Sequence, residues 1–205
     1  MCSVFAGYPA PQVAAELVDL LAALDAPLTE EVRNDPDPMA IIRWAGQNCA
    51  HKVIAAIEDA LTAAEVQAVT LATPTPYGHE LIVGAATRGI PVAVVSNNSA
   101  AAVAAYLAAH NLTRYVSPIV GRAYAAPDRM KPEPGPVLEA AHVLRAEPAS
   151  CTLVGDSASD IEAARAAGTR VIGYANYPWK VAAFTDADAV VTSMRELAEI
   201  WHIVQ

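Results

Sequence analysis

The chain has 205 residues, 54% hydrophobic and 17% charged, with a formal net charge of −9 and no run of Lys or Arg. This is the composition of a globular protein with one sizeable core; it excludes a disordered chain and argues against nucleic acid as a partner, which would call for a basic stripe. No apolar stretch is long and unbroken enough to span a bilayer, and the opening MCSVFAGYPAP lacks the basic and apolar regions of a signal peptide, so no membrane association and a cytoplasmic location are expected.

The cysteines, Cys2, Cys49 and Cys151, share no metal-ligand spacing and read as free thiols. Residues 11–24 place Val13, Leu17, Leu20, Leu21 and Leu24 on one helical stripe. A turn-rich piece ends in RNDPDP, and helical patterning resumes through IIRWAGQ and AHKVIAAIEDAL. Thr62 with Glu65 reads as a capping box that opens a further helix, and nothing in this first third reads as a strand. ATPTPYG, at 72–78, punctuates the chain with Thr-Pro steps that favour extended backbone.

Beyond it the rhythm becomes an alternation of strand and helix. The pattern predicts a helix over 79–88 closed by Gly89, a strand over 90–96, and a helix from Ser99 to about His110. A weaker strand over 115–120 and the helix PGPVLEAAHVLR follow. Then come the strand CTLVG at 151–155, a helix closed by Gly168, the strand RVIGY at 170–174, and a short strand at 187–191. Ser193 with Glu196 caps the last helix. Alternation of this kind implies an α/β, Rossmann-like core with a parallel sheet covered on both faces.

In open α/β sheets ligands bind beyond the carboxyl ends of the strands. There the sequence delivers Ser96-Asn97-Asn98 after one strand and Gly155-Asp156-Ser157, with Asp160 a helical turn on, after another. Asp156 and Asp160 are hard oxygen ligands of the kind magnesium prefers. Taken alone, Asp160 or Ser159 reads equally as a helix cap, Ser-Asn-Asn as turn chemistry, and Lys131 as a solvated charge.

Taken together and in order, VVSNNS, KPEPGPVLEAA and TLVGDSASDIEAARAAGTRVIGYAN resemble the haloacid dehalogenase-like superfamily, over roughly residues 76–191. The resemblance implies that Ser96 binds a phosphoryl oxygen with help from the Asn97 amide, and that Lys131 neutralises the phosphoryl group and a nucleophilic carboxylate. It implies that Asp156 ligates Mg2+, with Asp160 holding the ion through water or orienting its neighbours. It also implies an α-helical cap at 8–73 inserted into a core at 74–205, with residues 1–7 as connector, and a small phosphorylated metabolite as substrate. Cap candidates for specificity are Arg33, Arg43, His51 and Lys52. Lys52, as a Schiff-base residue, and Trp44 and Trp179, as entrance residues, are weaker ones, and His202 has no evident partner.

Family members carry a D-x-D-G motif at the end of a first, central strand, and its first aspartate is the nucleophile. The D-x-D strings of this chain, at 35–37 and 186–188, lie in the wrong context for it. The resemblance therefore implies a sequence that starts just past that motif, from a longer natural protein or, less favoured, a genuine short form without turnover. Residues 2–6 are expected to pair only marginally with the sheet. The leading expectation is a Mg-dependent phosphatase acting through an aspartyl-phosphate. The alternatives are a metal-independent 2-haloacid dehalogenase and a non-catalytic phosphate-binding protein.

Overall fold

The computed structural model describes residues 2–5 and 7–200; His202 lies outside them. The first half is helical: α1 (Ala10–Ala23), α2 (Glu30–Arg33), α3 (Pro38–Asn48) and α4 (His51–Val69). Asp37 caps α3 by accepting from the Met39 amide, with Pro38 in the first turn where a missing N–H costs nothing. Val13, Leu17 and Leu21 of α1, Ile41 and Ile42 of α3, and Ile57 and Leu61 of α4 close into one cluster. The side chains of this cluster are almost wholly removed from water.

Helix α4 corrects one expectation. It runs through Thr62 without a break, so no new helix opens there. The Thr62 hydroxyl donates to Glu58, one turn back, and Glu65 is fully buried on the inner face. The first third also contributes a strand: β1 (Cys2–Ser3) pairs antiparallel with β2 (Thr73–Pro74) over two residues. This pairing is separate from the two parallel sheets, so Cys2 and Ser3 form no central strand; residue 6, the last of the stretch expected to pair marginally, lies outside the described residues.

The second half alternates as expected: α5 (Gly78–Thr87), β3 (Val94–Val95), α6 (Ala100–Ala109), β4 (Ile119–Val120), α7 (Gly135–Val143), β5 (Thr152–Gly155), α8 (Ala158–Ala167), β6 (Arg170–Tyr174), α9 (Pro178–Ala183), β7 (Ala189–Val191) and α10 (Met194–Ile200). Gly89 and Gly168 adopt the positive φ that ends their helices. The fold is α/β with parallel pairing, but the strands near 90–96 and 115–120 shrink to two residues each. Among the described residues they pair only with each other, while β5, β6 and β7 form a second parallel sheet.

The reason lies between the two sheets. A cavity of about 1030 Å³ is lined on one side by Val92–Ser96 and on the other by Thr152–Asp156. Val94, Val95, Leu153 and Val154 are consequently only half-buried, whereas Val171 of β6, flanked by strands on both sides, is 0% exposed. A strand with one paired edge has half the ladder to hold it in register; β3 keeps two residues beside the cavity, whereas β5, paired along its length with β6, keeps four.

Candidate functional site

The turn from β5 into α8 is built around Asp160. Ser157 is the N-cap, accepting from the Asp160 amide, and Asp160 Oδ2 accepts from the amides of Asp156 and Ser157, each at 3.1 Å, and from the Ser157 hydroxyl. Gly155 is required here, because a Cβ would fall 2.3 Å from that of Asp160. Asp160 Oδ1 takes the ammonium of Lys131 at 2.6 Å, and the same ammonium donates to the Val95 carbonyl at 2.9 Å. Burial pushes the Asp160 carboxyl up. Lys131 and the Ser157 hydrogen bonds outweigh that and hold it below the usual carboxylate range. Both Asp160 oxygens are thus in use within the protein.

Asn97 fixes the other side of Lys131. Its side-chain Oδ1 accepts from the Lys131 amide at 2.9 Å, and its side-chain Nδ2 donates to the Lys131 carbonyl at 3.0 Å. Arg43 of α3 adds a second hydrogen bond to that carbonyl at 2.6 Å. The Ser96 oxygen accepts from the Asn98 amide, leaving its O–H to donate outward. Ser99 caps α6, and its own amide donates to Glu65 at 2.8 Å. Ser96, Lys131, Asp156 and Asp160 therefore meet where β3 and β5 end, at the rim of the cavity that all four help to line.

Arg122 was not legible as a site residue. Its guanidinium is 0% exposed and bonds to Glu58 at 2.8 Å, to Glu65 at 2.7 Å and to the Asn97 carbonyl at 2.8 Å. Burial alone would lower its pKa; the carboxylates reverse that and raise it. The signal lay in α4, where two carboxylates sit among Ile54, Ile57, Leu61 and Ala68 on a buried face, a pattern that demands a cation from elsewhere. Lys180 was missed as well. It is 9% exposed and donates to the Asp156 carbonyl and, at 3.3 Å, to Asp156 Oδ2.

Asp156 keeps 55% of its side chain exposed, and the hydrogen bonds to its carboxylate, from Lys180 and from Asn176 at 3.2 Å, both fall on Oδ2. The buried Oδ1 of Asn176 has no hydrogen-bond partner. A carboxylate with one oxygen outside these bonds and an amide oxygen without a partner are a donor set that suits a hard cation, which typically takes only one or two carboxylates and completes its shell with water and phosphate. Among the described residues no group of three or more His, Cys, Asp or Glu side chains gathers into a metal cluster. Of the other candidates, Arg33, His51 and Lys52 are exposed, Trp44 packs against the helical core, and Trp179 is 66% exposed on α9.

The family model for haloacid dehalogenase-like hydrolases matches residues 28–174. A phosphoglycolate phosphatase of Pectobacterium atrosepticum is 30% identical over 175 residues, covering 81% of this chain and 74% of that protein. The bifunctional riboflavin kinase/FMN phosphatase of Arabidopsis thaliana is 34% identical over 123 residues, covering 60% of this chain and 32% of that protein. A plasmid-encoded phosphoglycolate phosphatase of Cupriavidus necator is 40% identical over 114 residues, covering 54% and 48%. The chain thus spans a third to a half of the length of the last two. In fold it resembles the crystal structure of CbbY from Rhodobacter sphaeroides in complex with phosphate, with a TM-score of 0.68 at 23% identity over 91% of this chain and 89% of that one.

Proposed function

The chain belongs to the haloacid dehalogenase-like hydrolase family, and from that premise we propose that it is the body of a Mg2+-dependent phosphatase of a small phosphorylated metabolite. The observation that carries the reading is the convergence of Ser96, Lys131 and Asp156 at the ends of β3 and β5. Phosphoryl transfer is served chiefly by positioning and by neutralising charge, and these groups do both. The Ser96 O–H donates to a phosphoryl oxygen, and the Lys131 ammonium, held by Val95 and Asp160, opposes its charge. Asp160 acts as the positioning residue for Lys131. Asp156 and Asn176 are the residues that would hold magnesium, which when bound supplies further neutralisation at the phosphoryl group.

The helices α1–α4 act as the cap over this site, with Arg43 reaching the Lys131 carbonyl. The D-x-D-G motif is not in these 205 residues, so the aspartyl-phosphate of the family's reaction would form on a carboxylate outside them. That same absence favours one second reading, a phosphate-ligand binder without turnover.

Phosphate release from phosphoglycolate and a panel of sugar phosphates, measured on the protein isolated from its own source, tests the proposal. The phosphatase reading expects Mg2+-dependent release that Asp156→Asn reduces by at least about 100-fold, a size typical of lost charge stabilisation. Inorganic phosphate that binds the 205-residue chain, and is lost in Lys131→Ala, supports the pocket under either reading. Dehalogenation of 2-haloacids without metal would overturn both.

A further inference from the structure

Helix α9 leaves two aromatic rings uncovered beside the site. Its far end is fixed by Phe184, which is buried and packs with Ile161 and Val171. Its near end is fixed by Lys180, also buried, which donates to the Asp156 carbonyl and, at 3.3 Å, to Asp156 Oδ2. Tyr177, Pro178 and Trp179 come just before this anchor. Pro178 favours the extended backbone that Tyr177 adopts, with φ −132° and ψ 143°, and so presets where the helix begins. The segment is held at both ends, yet Tyr177 is 57% and Trp179 66% exposed. Neither ring joins a hydrophobic cluster among the described residues.

One ammonium ties these rings to the phosphate site. Lys180 Nζ lies over both, 5.6 Å from the centroid of each, while it holds Asp156. Adding the 3.3 Å to Asp156 Oδ2 places each ring centroid within about 9 Å of that oxygen. The cation takes one face of each ring, and the exposure of both rings leaves the other face open to solvent. Rings so exposed add little to packing, but they are the side chains on which another π-system stacks. Helix α9 carries no acidic residue in its first turn, so no charge there repels a phosphate ester. Asn176, just before Tyr177, donates to Asp156 Oδ2 as well. One short run, 176–180, therefore grips Asp156 and sets two rings beside it.

We infer that Tyr177 and Trp179 form a stacking platform for the organic part of the substrate, and that the substrate is a phosphomonoester carrying a planar aromatic ring about a pentose's length from its phosphoryl group. A pentose between phosphate and ring covers a gap of the order that separates Asp156 from the two rings, and a nucleoside 5′-monophosphate is the simplest ligand of that form. A ring-free phosphate engages Ser96, Lys131 and Asp156 and leaves the platform empty. The inference rests on the phosphatase reading for the place of the phosphoryl group, and adds to it the class of the group that the phosphate leaves behind.

The test compares 5′-AMP with ribose 5-phosphate, which lacks the adenine ring, by isothermal titration calorimetry on the full 205-residue chain in the presence of Mg2+. The expected result is about tenfold tighter binding of 5′-AMP, the scale of one base stacked on an aromatic side chain. Trp179→Ala brings that ratio close to one, Tyr177→Ala lowers it, and Trp179→Phe keeps most of it. The ratio is internal to each variant, so a general loss of binding does not imitate the effect. On the unsubstituted chain, 5′-AMP shifts the indole N–H resonance of Trp179, assigned with Trp179→Phe, and ribose 5-phosphate does not. That readout decides if a variant fails to fold. Equal affinity for the two ligands, or a ratio that survives removal of both rings, overturns the inference and leaves the phosphatase reading intact. So does binding of inorganic phosphate with binding of neither ester. Where none of the three binds, the phosphatase reading falls together with the inference.

Discussion

The two halves of the molecule bury their apolar residues to different degrees. In the helical half, Leu17, Leu21, Ile42, Ile57 and Leu61 are each at most 1% exposed. In the sheet half, the β-branched residues that should be most buried, Val94, Val95 and Val154, line a cavity and remain half-exposed. Both halves obey the same hydrophobic drive, at about 25 cal/mol per Å² removed from water. Their difference is one of pairing. A helix satisfies its own backbone and can close a core with few neighbours, but a strand needs a partner on each side.

Substitutions can break or sharpen this contrast. The largest effect is expected at the joint between the halves: Arg122→Ala leaves Glu58 and Glu65 buried without their cation and costs about 3–5 kcal/mol, read as a shift in urea midpoint. Leu61→Ala, inside the closed helical core, costs about 2–5 kcal/mol in the same experiment. Asp160→Asn separates the halves by pH. The folded Asp160 titrates below its ordinary value, near 3.9, so its contribution is complete above that pH and is lost as pH falls through the lower folded pKa. Thermal scans from pH 7 to 3 should therefore show wild type falling steeply below about pH 4, with the variant less stable at neutral pH and flatter in acid. Val94→Ala at the cavity costs only about 1 kcal/mol, since little of that side chain's contact is there to lose. A cost equal to that of Leu61→Ala would refute the contrast. Trp179→Ala, on the exposed face of α9, should stay within about 0.5 kcal/mol.

Much of this was legible in the residues. The run TLVGDSASD announces a strand, a tight turn and a capped helix, and the structure supplies all three, with the cap at Ser157 rather than at Ser159 or Asp160. VVSNNS likewise marks a strand end, and the order of the motifs points to the family. What escaped was long-range. Glu65 satisfied a local rule for a capping box, but its carboxylate is spent on Arg122, 57 positions away, and on the Ser99 amide. Nothing near Lys180 announces that it will lie against Asp156, 24 positions earlier. The strand lengths failed for a related reason: β-branched runs at 90–96 and 115–120 state a propensity, and how much of it becomes ladder depends on the edge that arrives from outside the run.

Helix α4 carries a mechanical consequence. Nineteen residues rise about 28 Å, and the helix is a beam shared by two structures. Val53, Ile57 and Leu61 are set in the helical core, while Val69 is set in the cluster beneath β3. Glu58 and Glu65 lie on the span between, bolted to Arg122, which also grips the Asn97 carbonyl. Torque on the helical half is thus delivered through that bolted span to the loop that holds Lys131, and a tilt of one end registers as strain at the other.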